Sequence, residues 1–305
     1  MSILVVGSVA FDSVKTPFGK VEEILGGSGS YFSVAASFFS PVRLVAVVGE
    51  DFPKEGLELF KKFSIDIRGL KQVPGKTFRW VGEYGSSLNE AKTLNTELNV
   101  FENFSPQIPR SYQHSDYVFL GNIDPVLQAK VLSQVEKPKF VACDTMNYWI
   151  EFKPQELKET LSMVDILIIN DSEVRMLTNE YNLTKASRII AEWGPQTLVV
   201  KKGEYGVAMY HSGSIFAAPA FPLEELSDPT GAGDSFAGGF VGFLAKSGCT
   251  DDESLRKAVI YGSVMASFNV EEFSLNRLKS ITLSEIQDRY LQFKQLTHFE
   301  VENLF

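Results

Sequence analysis

Apolar, β-branched runs recur along the chain, with helical patterns between them. The runs are ILVVG at 3–7, VRLVAVVG at 42–49, DYVFLG at 116–121, KFVACD at 139–144, DILIIN at 165–170 and TLVVKKG at 197–203. Between most of them lie segments such as SYFSVAASFF at 30–39, PVLQAKVLSQV at 125–135 and LTKASRIIAEW at 183–193, whose apolar residues repeat at helical spacing. Strands that are apolar nearly throughout must be covered on both faces, which predicts a mostly parallel sheet with helices on either side. Two further helices are predicted after Asp251 and after Leu283. Residues 67–103 break the rhythm. There TFRWVGEYG and TELNVFENF alternate like half-exposed antiparallel strands, with no helix between them. The expectation is one α/β domain over 1–305. A small β-sheet lid, from about 67–103 and the segment near 11–20, is expected over the carboxyl edge of the sheet, where open α/β sheets bind ligands.

Composition narrows the class. A chain of 305 residues can bury one large core. Its net charge of −9 argues against a nucleic-acid partner or an acidic membrane surface, both of which need clustered Lys and Arg. Cys143 and Cys249 are far apart and suggest neither a disulfide framework nor a metal knuckle, and Cys143, in FVAC, reads as a small core residue. The start, MSILVVGS, has no basic segment before its first strand, so no signal peptide is expected. No apolar run is long enough for a bilayer, and a cytoplasmic location is the expectation. His114, His211 and His298 are isolated, show no ligand or triad spacing, and are expected at the surface. Gly75-Lys76-Thr77 fails as a phosphate loop because five residues, not four, separate Gly69 from Gly75.

The chemistry concentrates in Asp228-Pro229-Thr230-Gly231-Ala232-Gly233-Asp234, followed at once by SFAGGFVGFLAK. Gly231, Ala232 and Gly233 are small enough for backbone to approach a ligand, and they open a helical pattern. The free N–H groups and the dipole of such a helix start suit a phosphate or a developing oxyanion. Asp234 in the first turn would repel a bound phosphate, so its place calls for a chemical reason. The natural reason is a base that takes the proton from an attacking hydroxyl. The bland alternative is an acidic first turn that complements the dipole.

This run resembles the C-terminal signature of the ribokinase-like (PfkB-type) carbohydrate and nucleoside kinases, which transfer the γ-phosphoryl of ATP to a sugar or nucleoside hydroxyl. The resemblance implies a ribokinase-like fold: a central, mostly parallel sheet with helices on both faces and a small β-sheet lid. It also implies Asp234 as catalytic base and Gly231, Ala232 and Gly233 as the anion hole. Other elements fit in order. Asp12 in GSVAFD matches the Asp that accepts from substrate hydroxyls, although a turn Asp explains it too. Gly26 and Gly27 resemble the N-terminal glycine pair, but Tyr31 stands where ribokinases carry Asn, which argues against assuming ribose. Gly49-Glu50-Asp51-Phe52 resembles a family element whose Asp reads as structural, with Pro53 replacing its final Gly.

Asn170 and Glu173 resemble the N-x-x-E motif, whose Glu holds magnesium through water; a helix cap with a reciprocal Glu fits the same spacing. Lys201, Gly203 and Gly206 resemble the K-x-G-x-x-G turn beside the nucleotide, where a plain hairpin with solvated lysines is the alternative. Asn269 falls near the implied adenine pocket. Asn122 and Asn147, at strand ends, are candidates for contacting substrate, and Arg79 reads as a solvated lid residue that has the reach to meet an anion. Phe11, Tyr31, Phe78 and Trp80 are placed either to stack a base or to pack the lid. The implied cofactors are ATP and Mg2+, with K+ at Asp228 and Thr230 as a secondary expectation. The implied partners are a small sugar or nucleoside and a second copy, as a homodimer through the lid. A non-catalytic sugar or nucleotide sensor on the same fold is the alternative.

Overall fold

A computed structural model describes residues 1–85 and 88–300. The first half runs β1 (Ile3–Val6), β2 (Ala10–Thr16), β3 (Gly19–Gly26), α1 (Ser28–Ser37), β4 (Val42–Gly49), α2 (Lys54–Lys62), β5 (Asp66–Val73), β6 (Phe78–Tyr84), β7 (Ala91–Glu97), β8 (Tyr117–Leu120) and α3 (Pro125–Leu132). It continues through β9 (Phe140–Cys143), α4 (Asn147–Phe152), α5 (Pro154–Leu161), β10 (Ile166–Asn170), α6 (Asp171–Thr178), α7 (Leu183–Ala191), β11 (Thr197–Lys201), β12 (Val207–His211) and β13 (Ser214–Ala218). Three long helices follow: α8 (Ala232–Ser247), α9 (Asp252–Asn269) and α10 (Leu283–Thr297).

Nine strands form one sheet in the order β13-β12-β11-β10-β9-β8-β1-β4-β5. Every pair from β11 to β5 is parallel, and β12 and β13 close one edge antiparallel. The central strands bury both faces, as their continuous apolar runs require. One face carries a core with Phe32 and Ala36 of α1, Phe240 of α8 and Val264 of α9. The other packs Val131 of α3, Leu157 of α5, Val174 of α6 and Ile190 of α7. Strand order reverses between β1 and β8, so the loops after their carboxyl ends diverge and leave the crevice where such folds bind ligands.

The small sheet has the order β3-β2-β6-β7 and is mixed: β2 runs antiparallel to β3 but parallel to β6. Two features of the expected lid need correction. Residues 66–73 pair with β4 in the large sheet, and their polar look reflects an edge position rather than membership of a lid. TELNVFENF is strand only to Glu97; Asn99–Phe101 turns as a short 3-10 helix. Ser86 and Ser87, inside the expected lid, lie outside the described residues. No helix among the described residues is long and apolar enough to cross a membrane.

Candidate active site

Helix α8 begins with Gly231 in the left-handed region, at φ 76°. A Cβ there would lie inside the ring of Tyr31, which rests on this backbone. Among the described residues, the N–H groups of Gly233 and Asp234 find no backbone acceptor outside their helix. A Cβ on Gly233 would come within 2.8 Å of Lys201 Nζ, so an ammonium already lies over the helix start. Ala232 N donates to Pro229 O at 3.1 Å, so the small residues and the two remaining first-turn N–H groups, those of Gly233 and Asp234, create the place that a phosphate fits.

The turn before the helix is braced from below. Asp228, fully buried, accepts through Oδ1 from Thr230 N at 2.9 Å and through Oδ2 from Ser274 N at 3.3 Å. Thr230 O accepts from Asn269 Nδ2 at 2.8 Å, and Asn269 Oδ1 accepts from Ser235 Oγ at 3.0 Å. Asn269 is therefore fully buried with both ends of its amide engaged, so it holds the turn and does not line a nucleotide pocket. Thr230 Oγ1 donates to the hydroxyl of Tyr84 at 3.3 Å, which ties β6 to the turn.

Four ionisable groups meet at the helix start. Lys201, at the end of β11, lies 3.4 Å from Asp144 Oδ2, just beyond β9. Burial alone would lower the Lys201 ammonium, but Asp144, Glu173 and Asp234 outweigh it and leave it raised. It is a half-buried, paired cation, not the solvated lysine that a plain hairpin implies. Burial, reinforced by Asp144 and opposed by Lys201, pushes the Asp234 carboxyl up to about 7. Burial likewise pushes Glu173 to about 7 against the pull of Lys201. Glu173 also closes a capping box: Glu173 N donates to Asn170 Oδ1 at 2.8 Å, and Asn170 N donates to Glu173 Oε2 at 3.1 Å. The cap and the charged cluster are thus the same residue, and one use does not exclude the other.

Asp12 of β2 lies opposite, where the missing side chain of Gly26 leaves it room. Burial, then Asp228, pushes its carboxyl to about 7, while the Gly27 N–H pulls it down. The side chains of Asn122 and Asn147 face other partners, although the backbone N–H of Asn147 acts on Glu173. Asn122 Oδ1 accepts from Trp149 Nε1 at 3.0 Å, and the exposed Asn147 accepts from Tyr148 N at 2.8 Å through its own side chain. Gly203 and Gly206 shape the turn after β11 with φ of 54° and 85°, and Asn89, from the β6–β7 connection, packs against Gly203.

Arg79 is not a solvated residue. Its Nε donates to Glu23 at 2.7 Å, its Nη2 pairs with Asp51 at 2.8 Å, and its guanidinium lies over Phe11. Asp51 in turn accepts from the N–H and the hydroxyl of Thr77, both at 2.7 Å, which is a structural use. His211 is likewise not a free surface residue, since its Nδ1 meets Thr197 Oγ1 at 2.7 Å. Sequence reasoning noted Asp144 only as the start of Asp144-Thr145-Met146-Asn147, gave it no role, and passed over Tyr84. The first had a signal, a carboxylate ending an apolar strand at the ligand-binding edge; the second had none. Two cavities, of about 260 and 430 Å3, lie elsewhere, on α9–α10 and beside β5.

The pfkB family carbohydrate kinase model matches residues 2–281. A cytidine kinase of Thermococcus kodakarensis is 31% identical over 247 residues, which span 79% of this chain and 87% of that protein. Among solved structures, a nucleoside kinase of Methanocaldococcus jannaschii superposes with a TM-score of 0.74 at 20% identity, covering 95% of this chain and 98% of its own. A protein of E. coli described as a ribokinase II, in complex with ATP and Mg2+, reaches 0.77 at 18% identity, covering 95% and 99%. The two structural likenesses establish the fold.

Proposed function

Because the chain belongs to the pfkB family of carbohydrate kinases, phosphotransferases that act on sugars or nucleosides, we propose that Asp234 takes the proton from an acceptor hydroxyl as that oxygen attacks the γ-phosphorus of ATP. The bond from the γ-phosphorus to the β–γ bridging oxygen breaks, ADP leaves, and the proton stays on Asp234. The observation that carries this reading is Asp234 itself, a half-buried carboxyl raised to about 7 in the first turn of a helix where the N–H groups of Gly233 and Asp234 have no backbone acceptor among the described residues. A carboxylate with that affinity is half-ionised near neutral pH and a better base than an exposed one.

Gly231 and Gly233 hold the transferring group through backbone N–H, Ala232, whose own N–H donates to Pro229 O at 3.1 Å, keeps the turn small, and Lys201 supplies the charge that these amides lack. Loose phosphoryl-transfer transition states need such positioning and electrostatics more than covalent help. Asp144 fixes Lys201 at 3.4 Å and keeps it charged. Gly203 and Gly206 shape the turn that carries the nucleotide. Asp12 accepts from the acceptor's hydroxyls, with Gly26 and Gly27 giving it room.

Magnesium fits the residues present. No group of three or more His, Cys, Asp or Glu among the described residues forms a cage, yet Asp144, Glu173 and Asp234 face a single Lys201. That surplus of carboxylate suits a hydrated divalent ion held chiefly by phosphates, with Glu173 reaching it through water. When bound, it would neutralise charge on the β- and γ-phosphates. Asp228 and the carbonyl side of Thr230 are the proposed site for K+, and a homodimer through the small sheet is the proposed assembly.

A coupled ADP-release assay against uncharged sugars and nucleosides tests the core of this reading. Asp234→Asn is expected to keep ATP binding and lose about 100-fold or more in turnover. Turnover unchanged in that variant removes Asp234 as base, and equal rates in K+ and Na+ remove the cation site.

A further inference from the structure

A second gathering of charge and aromatic rings lies away from the GAGD turn, in the cavity of about 260 Å3 between α9, α10 and β13. Three rings stack toward it. Phe243 and Tyr290 both lie nearly parallel to Tyr261, with centroids 4.7 and 4.4 Å away. Two rings cannot share one face at those distances, so Tyr261 is sandwiched and the column ends at Tyr290, which lines the cavity. Phe216 of β13 adds an apolar wall. Arg256 and Lys257 of α9 and Lys294 of α10 bring three cations to the same place. One carboxylate joins them, Glu253, and it is taken by Lys257 at 2.5 Å. Arg256 reaches Asp252 only at 3.9 Å, and Lys294 has no ion pair among the described residues. A solvated helix face explains exposed cations in a chain of net charge −9, but not why an aromatic column ends among them.

We infer that this cavity binds a nucleoside monophosphate, whose base continues the stack on Tyr290 and whose phosphate is held by Arg256 and Lys294. Base–aromatic stacking tolerates any base, and a guanidinium meets a phosphate through parallel hydrogen bonds. The charge also matches. Glu253 leaves two cations free, and one phosphate monoester carries about −1.5 to −2 at neutral pH. The volume lies just below the roughly 300–1,000 Å3 common for small-molecule sites, which favours one base, one sugar and one phosphate over a longer chain. The site is separate from the GAGD turn: α9 meets that turn through Asn269, and from Lys257 to Asn269 the helix rises about 18 Å. Transfer to a nucleoside would form a ligand of this class, but the inference is read from the cavity's own lining and does not rest on the kinase reading.

Calorimetry on the full chain, kept in excess Mg-ADP so that the nucleotide side of the active site is filled, tests the inference. The probes are CMP, AMP and inorganic phosphate at low salt, against wild type, Arg256→Glu with Lys294→Glu, and Tyr290→Leu. Binding that belongs to the cavity is the part that the paired charge reversal removes. At least one of the two nucleotides is expected to lose about tenfold or more there, since two attractions become repulsions. Both reversed positions are exposed, so the melting temperature of that variant is expected to stay near wild type. Tyr290→Leu is expected to weaken the same binding about tenfold, the scale of one lost base–aromatic stack. Inorganic phosphate, which brings the charge without the ring, should bind about tenfold worse than the nucleotide. If CMP and AMP bind equally well to wild type and to the charge-reversed protein, or do not bind at all, the inference fails. Phosphate binding as tightly as either nucleotide overturns it too, because the ring column then has no part. The charge reversal decides the matter even where Tyr290→Leu does not fold. No arm depends on turnover, so loss of the kinase reading and loss of this site are told apart.

Discussion

At the scale of single residues, one carboxylate does different things in different surroundings. Asp51 is held by Arg79 and Thr77 and stays low, while Asp12, Glu173 and Asp234 are each pushed to about 7 by burial. Raised affinity for a proton has a definite sign in the rate. Below pH 7 Asp234 is mostly protonated and is no base; above it the carboxylate is free. With magnesium in excess to keep ATP ionised, kcat/KM for the acceptor is expected to climb from pH 5.5 and level off between about pH 7 and 8. The limb should have a slope above one, because Asp12 and Glu173 titrate in the same range and the sites are coupled. A flat profile from pH 5.5 to 8.5 would mean that no raised carboxylate takes part. Asp234→Asn should leave only the limb that belongs to Asp12 and Glu173.

Among the elements, the approach of α1 to α8 sets the geometry of the site, because it seats Tyr31 on Gly231. That approach depends on small residues. A Cβ on Gly238 would lie 2.6 Å from Phe32 O and 2.8 Å from Ala35 Cβ. Two effects oppose each other in Gly238→Ala. Helix propensity favours alanine by about 1 kcal/mol, whereas overpacking against backbone costs about 1–3 kcal/mol. The carbonyl of Phe32 belongs to a helix and cannot yield cheaply, so net destabilisation of about 1–2 kcal/mol is expected in denaturant unfolding. A more stable variant would show that α1 moves freely. The six strands legible as apolar runs are the six central ones, β1, β4, β8, β9, β10 and β11. Burial on both faces writes a continuous signal there. The missed β5 and β13 are the edge strands and β12 lies just inside one of them, where the pattern dilutes; DIRGLKQV of β5 is the clearest case.

For the whole molecule, the site was legible where the chemistry is local and hidden where folding assembles it. The GAGD turn and the Asn170–Glu173 spacing are contiguous. The placement of Asp144 against Lys201, of Tyr31 on Gly231 and of Tyr84 on Thr230 joins segments 57 to 200 residues apart, and no periodicity reports such pairs. The proposed assembly belongs to this scale too. All seven residues of β7 are exposed, so neither face of that strand is buried by the described residues, and it ends the small sheet with an edge unpaired among them. Leu94 in its middle is 51% exposed, and Phe18, at the β2–β3 turn, is exposed as well. An uncovered edge strand bearing apolar side chains invites pairing with another copy unless charge or twist blunts it. A stable pair needs about 800 Å2 from each partner, an area that one strand cannot supply alone and the wider face of the small sheet would have to complete. Sedimentation at micromolar concentration is therefore expected to show a dimer. Leu94→Lys should weaken it about tenfold or more, since burying a leucine is worth about 1.5–3 kcal/mol and about 1.4 kcal/mol is tenfold. A monomer at every concentration would leave β7 as a strand held only by its pairing to β6, and would remove the small sheet as an interface.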